Sequence, residues 1–199
     1  MGPLVWHDRR FTACVLAVFG WLISIELRTS RTASRAAQPD SGDRVVDTST
    51  GKVFDIAAAI ALTGGVTASA RFPEATIRAR RTSATAGLCV LAGSGVLSKV
   101  ARFHLGRFHR DSLTVHADHE LVDTGPYRRI RHPLYSATIG VFIGLGLVLG
   151  NWLSLVLAGF PTAALVLRIG VEEQMLAGHL GPTYDQYRAR TDRLVPGIW

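Results

Sequence analysis

Two cysteines are too few to staple a chain of 199 residues, and Cys14 and Cys89 both lie inside apolar runs, so a disulfide framework is excluded. Charge is also scarce. Asp, Glu, Lys and Arg make up 19% of the chain, against roughly 25% in an average soluble domain, while the hydrophobic set reaches 48%. Disorder needs the opposite balance and is excluded as well. There is no Gly-x-Ser-x-Gly elbow, no Gly-rich phosphate loop after a strand, and no visible Ser-His-Asp logic. His104, His109, His116 and His119 invite a metal reading, but no cysteine or paired carboxylate completes a ligand set, so no metal is expected.

The most informative absence is local. From 132 to 167 the chain has 36 residues without a single Asp, Glu, Lys or Arg. One pass through a bilayer core takes about 20 helical residues, so this stretch suits two short passes. Gly150-Asn151-Trp152 near its middle is the natural turn, predicting a helical hairpin over about 134–149 and 153–171. Three further apolar segments precede it, at 11–25, 53–70 and 82–98. The first follows Arg9 and Arg10 like a signal-peptide core. However, Glu26, Leu27 and Arg28 stand where a small-residue cleavage site would be, so it is read as an uncleaved helix.

The predicted fold class is therefore all-α: one polytopic membrane domain over 1–199, with about five transmembrane helices. Five passes put the termini on opposite faces. The face shared with the N-terminus holds six Lys and Arg residues and the other sixteen. Positive residues stay cytoplasmic, which puts the N-terminus outside and the C-terminus inside the cell membrane. The net charge of +7 then needs no nucleic-acid partner. The segment 28–52 reads as a mobile polar loop. Gly140, Gly144, Gly146 and Gly150 read as close helix packing.

Two polar blocks flank the hairpin. One runs from His119 to Tyr135 and contains Arg131, His132 and Tyr135; the other holds Arg168, Glu172 and Glu173, with Tyr184 and Tyr187 beyond. A short hairpin brings its outer ends together, so the blocks should meet on the cytoplasmic side. Each residue also has a plainer reading. Pro133 starts a helix, Arg168 and Glu172 form an i,i+4 ion pair, Arg128, Arg129 and Arg131 touch anionic headgroups, and Tyr127 and Trp152 are interfacial belt residues. Singly these suffice, but they do not explain why a Glu pair, a His and several Tyr gather at one bilayer edge.

At this point the order of motifs becomes specific. Leu105-Gly106-Arg107-Phe108 is followed by His119-x-Leu121-Val122-x-x-Gly125-Pro126-Tyr127 and Arg131-His132-Pro133-x-Tyr135. After the hairpin come Arg168-x-x-x-Glu172-Glu173, Leu176, Gly181-x-x-Tyr184-x-x-Tyr187 and Arg193-Leu194-x-Pro196. This half of the chain resembles the isoprenylcysteine carboxyl methyltransferase family in its short bacterial form, which is related to the phospholipid methyltransferases. The resemblance implies a membrane enzyme that uses S-adenosylmethionine without a Rossmann domain. It also implies a division into N-terminal helices (1–103) and a cofactor-binding, catalytic half (104–199), whose cytoplasmic pocket is closed by the C-terminal segment. By that resemblance His119, Leu121 and Val122 border the cofactor, Gly125 and Tyr127 shape its loop, and Arg131, His132 and Tyr135 hold its nucleoside and amino-acid parts. Glu172 and Glu173 bind ribose or the amino group, and Tyr184 and Tyr187 belong to a lid.

Methyl transfer from a sulfonium is an in-line displacement, so positioning carries most of the work. A carboxylate acceptor needs no base, only an Arg to hold it in a dry site. Arg168 is the candidate for that role. An amine or thiol would need a proton acceptor, and His132 or a Glu such as Glu172 could serve. The expected acceptor is an isoprenoid or other lipid carboxylate drawn from among the membrane lipids. The alternatives are a lipid amine or thiol, or a non-catalytic lipid-binding membrane protein.

Overall fold

Gly150 and Asn151 make the turn that the charge-free stretch calls for. In the computed structural model, which describes residues 44–47, 49–106, 113–115 and 121–199, a strand β1 (Arg44–Asp47) leads into α1 (Ser49–Arg71). Then follow α2 (Arg80–Leu105), strand β2 (Leu113–Val115), α3 (Pro133–Leu149), a short α4 (Trp152–Leu157), α5 (Gly159–Leu180) and α6 (Pro182–Ala189). Gly150 closes α3 in the left-handed region at φ 64°, and its N–H reaches the Gly146 and Leu147 carbonyls. Asn151 then caps α4, its side chain accepting from the Leu153 N–H at 2.9 Å.

Among the described residues, three helical stretches are long and apolar enough to cross a membrane: Ser49–Arg71, Arg80–Leu105 and the continuous Trp152–Leu180. Pro133–Leu149 is apolar but shorter, at 17 residues. Four of the five expected helices are thus present, and the expected helix at 11–25 lies outside the described residues. Two details differ from expectation. Residues 44–47 and 113–115 pair as a small antiparallel ribbon, and α1 begins at Ser49, inside the segment read as a loop. Arg44-Val45-Val46-Asp47 carries two β-branched residues in a row, a strand signal hidden by its polar surroundings. An all-α description therefore holds for the spans and not for this ribbon.

The helices approach to backbone contact where glycine allows it. A Cβ on Gly87 would sit 2.7 Å from the Gly144 carbonyl oxygen, and one on Gly144 would sit 3.0 Å from that of Gly87. A Cβ on Gly140 would meet Ser94 Oγ. The small-xxx-small spacing of α3 thus seats it on α2.

The turn end of the bundle satisfies the carbonyls that helix termini leave over. Ser69 donates to the Leu149 carbonyl, Ser83 to that of Leu147 and Asn151 Nδ2 to that of Phe72, while Ser154 ties α4 to the body of α1 through the Gly65 carbonyl. The Ile77 N–H meets the Gly150 carbonyl at 2.8 Å. In a medium without water each of these groups left bare would cost several kcal/mol, about the value of a lost buried bond.

The contact at Gly87 predicts a clean contrast. Gly87→Ala must push two backbones apart and should cost about 1–3 kcal/mol, seen as a lower thermal midpoint in detergent. Gly93→Ala on the same helix meets nothing within 4 Å and should be neutral or stabilising by up to ~1 kcal/mol.

Candidate active site

At the opposite end of the bundle the two polar blocks converge, and the C-terminal segment joins them. Thr124 and the positive-φ Gly125 open a tight turn, Gly125–Arg128. The bare face of Gly125 lies on the His104 ring, which a Cβ would approach to 2.5 Å. The turn buries Tyr127, whose carbonyl accepts from the Tyr187 hydroxyl at 2.7 Å. Beyond it the chain runs parallel to 192–193. Asp192 N–H donates to the Arg129 carbonyl, Arg131 N–H to that of Asp192, and His132 N–H to that of Arg193. Ser136 Oγ continues the seam to the Leu194 carbonyl at 2.7 Å.

Glu173, only 4% exposed, sits under this seam. Arg131 Nε donates to its Oε1 at 2.8 Å, and Arg193 donates to Oε2 through Nε and Nη2, both at 3.1 Å. Arg131 also donates to the carbonyls of Thr191 and Arg188. Arg131 is therefore spent inside the protein, not on headgroups, whereas Arg128 and Arg129 are exposed. Glu172, one position on, faces a different set. The Tyr135 hydroxyl donates to its Oε2 at 2.7 Å and accepts from Arg168 Nε at 3.0 Å. The expected i,i+4 contact between Arg168 and Glu172 thus runs through Tyr135. His132 stands between the carboxylates, its Nδ1 3.8 Å from Glu172 and its Nε2 3.4 Å from Glu173, and its ring lies nearly parallel to that of Tyr135.

Two buried polar atoms here lack a hydrogen-bond partner: His132 Nε2, whose approach to Glu173 is out of line, and the Tyr184 hydroxyl. Tyr184 is 1% exposed, and burial, then the nearby Glu173 charge, raises its phenol above the ordinary range. Burial also pushes Tyr187 up to about 12 and raises Tyr127. All three stay protonated in any physiological medium. Beside them opens a cleft of about 600 Å³ lined by Asp123, Thr124, Gly125, Arg128, Tyr187 and Arg190. An Arg190–Asp123 ion pair of 2.6 Å ties its two walls, and the Arg190 guanidinium lies 5.9 Å from the Tyr187 ring centroid. The cleft's size is that of a small-molecule site.

Of the residues singled out in the sequence, Arg131, His132, Tyr135, Arg168, Glu172 and Glu173 form one connected cluster. Gly125, Tyr127, Tyr184 and Tyr187 border it. Leu121 and Val122 are half-buried at the start of the same loop, and His119 lies outside the described residues. Arg193, Thr191, Asp123 and Arg190 were not anticipated. Arg193 stands in the C-terminal motif, but nothing in its spacing announced a pairing with Glu173 twenty residues earlier.

Residues 82–183 match the phospholipid methyltransferase family. The chain is 34% identical to the protein-S-isoprenylcysteine O-methyltransferase of Schizosaccharomyces pombe, over 47% of this chain and 46% of that protein. Its fold is similar to that of the eukaryotic intramembrane Ras methyltransferase ICMT (isoprenylcysteine carboxyl methyltransferase). The TM-score is 0.60 at 28% identity, covering 77% of this chain and 55% of that one. The chain thus spans about half the length of the relatives it matches.

Glu173→Gln leaves two arginines facing an uncharged group and should cost about 3–5 kcal/mol, read as a large fall in thermal midpoint. Glu172→Gln, whose partner is a neutral hydroxyl, should shift it far less. Equal midpoints for the two variants would contradict the network.

Proposed function

Because the chain belongs to the phospholipid methyltransferase family, we propose that this integral membrane protein uses S-adenosylmethionine to methylate the carboxylate of a lipophilic acceptor. The observation that carries the reading is the meeting of Arg131, His132 and Tyr135 with Arg168, Glu172 and Glu173, among which His132 Nε2 and the neighbouring Tyr184 hydroxyl are buried without a hydrogen-bond partner. The residues present suit such a cofactor. His132 Nε2 and the Tyr184 hydroxyl can bond its hydroxyl and amino groups, Tyr187 and the Gly125 turn line the adjoining cleft, and Tyr faces accommodate a cation. When bound, S-adenosylmethionine supplies a methyl group already activated on sulfur.

The chain's own share is placement. Arg168 is 8% exposed and oriented by its bond to Tyr135, itself fixed by Glu172. A guanidinium held this way can orient an acceptor carboxylate without protonating it. Burial at the end of apolar helices strips water from the carboxylate and leaves it more nucleophilic. Glu173, committed to two arginines, is assigned to fastening the C-terminal segment over the site. A lipophilic acceptor would reach Arg168 sideways through the bilayer, and the polar cofactor would enter by the cleft from the cytoplasm. That orientation is the one the sequence predicts, with sixteen Lys and Arg residues expected on the cytoplasmic face against six on the other and the N-terminus outside.

The test is transfer of labelled methyl from S-adenosylmethionine to a lipid extract of the source cell by detergent-purified protein. A product that releases methanol in mild base is an ester and supports the carboxylate; a base-stable product assigns an amine or thiol. Arg168→Gln should lower turnover by about 10²-fold, the scale of lost positioning, with cofactor binding unchanged by calorimetry. A label-free extract combined with no heat of cofactor binding by folded protein would leave a non-catalytic membrane protein.

A further inference from the structure

Glycines in α1 do two different jobs. Gly64 and Gly65 face apolar and small side chains, Leu157, Leu149 and Ser154, as in ordinary helix packing. Gly51, in the first turn, faces a charge. A Cβ built there would lie 3.0 Å from Arg168 Nη1, with no other heavy atom within 4 Å. Arg168 is the cation whose Nε is already held by Tyr135. Its guanidinium thus hydrogen-bonds to α3 through one edge and passes close to the bare backbone of α1.

We propose that Gly51 is a positioning residue, whose missing side chain sets where the Arg168 guanidinium rests and hence where an acceptor carboxylate is held. The inference rests on the role given to Arg168 above. The physical argument is one of room. A methyl group at 3.0 Å is too close for an undisturbed contact, and the atom it meets is the end of a long side chain. The guanidinium therefore yields by a few tenths of an ångström while the helices stay in place. The Nε–H bond to Tyr135 strains or rotates as it does. Displacements of ~1 Å in positioned groups can cost ~10²-fold in rate, so this smaller one should cost about 3–10-fold in kcat/KM for the acceptor. The fold should not suffer, because alanine is the better helix former.

The experiment compares wild type, Gly51→Ala, Arg168→Lys and the double variant. In detergent, ¹⁵N-arginine spectra without any acceptor read the Arg168 Nε–H resonance, which is identified by its loss in Arg168→Lys. Gly51→Ala should shift that resonance with the thermal midpoint equal to or above wild type and the affinity for S-adenosylhomocysteine unchanged. Methyl transfer to the lipid extract should fall about 3–10-fold in Gly51→Ala, and in the Arg168→Lys background the same change should have little further effect, since both act through one group. An unmoved resonance, or a rate loss that simply multiplies that of Arg168→Lys, overturns the proposal. If Gly51→Ala moves the resonance but Arg168→Lys transfers methyl at the wild-type rate, the role of Arg168 has failed, and the positioning role with it, while the contact itself stands.

Discussion

The Glu173 carboxylate joins segments that are 42 residues before it and 20 after it. Both oxygens are taken by guanidinium groups, one from the loop that precedes the hairpin and one from the C-terminal segment. Taking the Glu173 and Arg131 charges out of water is costly, and the cost is met only where geometry is good and additional hydrogen bonds form. Arg131 helps to meet that condition by donating through Nη1 to the carbonyls of Thr191 and Arg188. The backbone seam between 129–132 and 192–193 and the buried Tyr127–Tyr187 bond link the same segments that this junction joins.

Such a junction needs a fixed frame, which the helices supply without help from water. Between apolar helices in lipid there is little hydrophobic drive, so close packing and internal hydrogen bonds must hold them. The bundle divides these tasks between its ends. At the turn, Ser69, Ser83, Asn151 and Ser154 close off helix carbonyls. Along the middle, Gly87, Gly140 and Gly144 let α2 and α3 touch. The polar end is then spared for ionised groups that converge on one another. Two bonds of the Tyr135 hydroxyl in α3, donated to Glu172 and accepted from Arg168 in α5, lock the two arms of the hairpin together at the site.

Much of this was legible in the chain, because a 36-residue stretch with no charge has few physical solutions. A fold-back at Gly150-Asn151 follows, and from it the meeting of residues 131–135 with residues 168–173. The same logic could not tell Glu172 from Glu173. Both stand at the edge of an apolar run, and either could pair with any nearby cation. The division of partners depends on where the C-terminal segment lies, and Arg193 is brought there by a backbone seam with no periodic signature. The β1–β2 ribbon was missed for a related reason: strands of three and four residues are too short for alternation to show.

Adjacent positions on a helix point about 100° apart, so Glu172 and Glu173 cannot serve the same partner equally. Glu173 turns toward the strap formed by 191–194 and loses its freedom to the two arginines. Glu172 shares a face with Arg168, one turn earlier, and the Tyr135 hydroxyl fits between them as acceptor to one and donor to the other. One turn of α5 thereby separates fastening from positioning. The carboxylate bound to Arg131 and Arg193 is kept from the guanidinium proposed to hold the acceptor. Placing a neutral phenol at that point orients Arg168 without drawing on Glu173, so that the two carboxylates of one helical turn are committed to different partners.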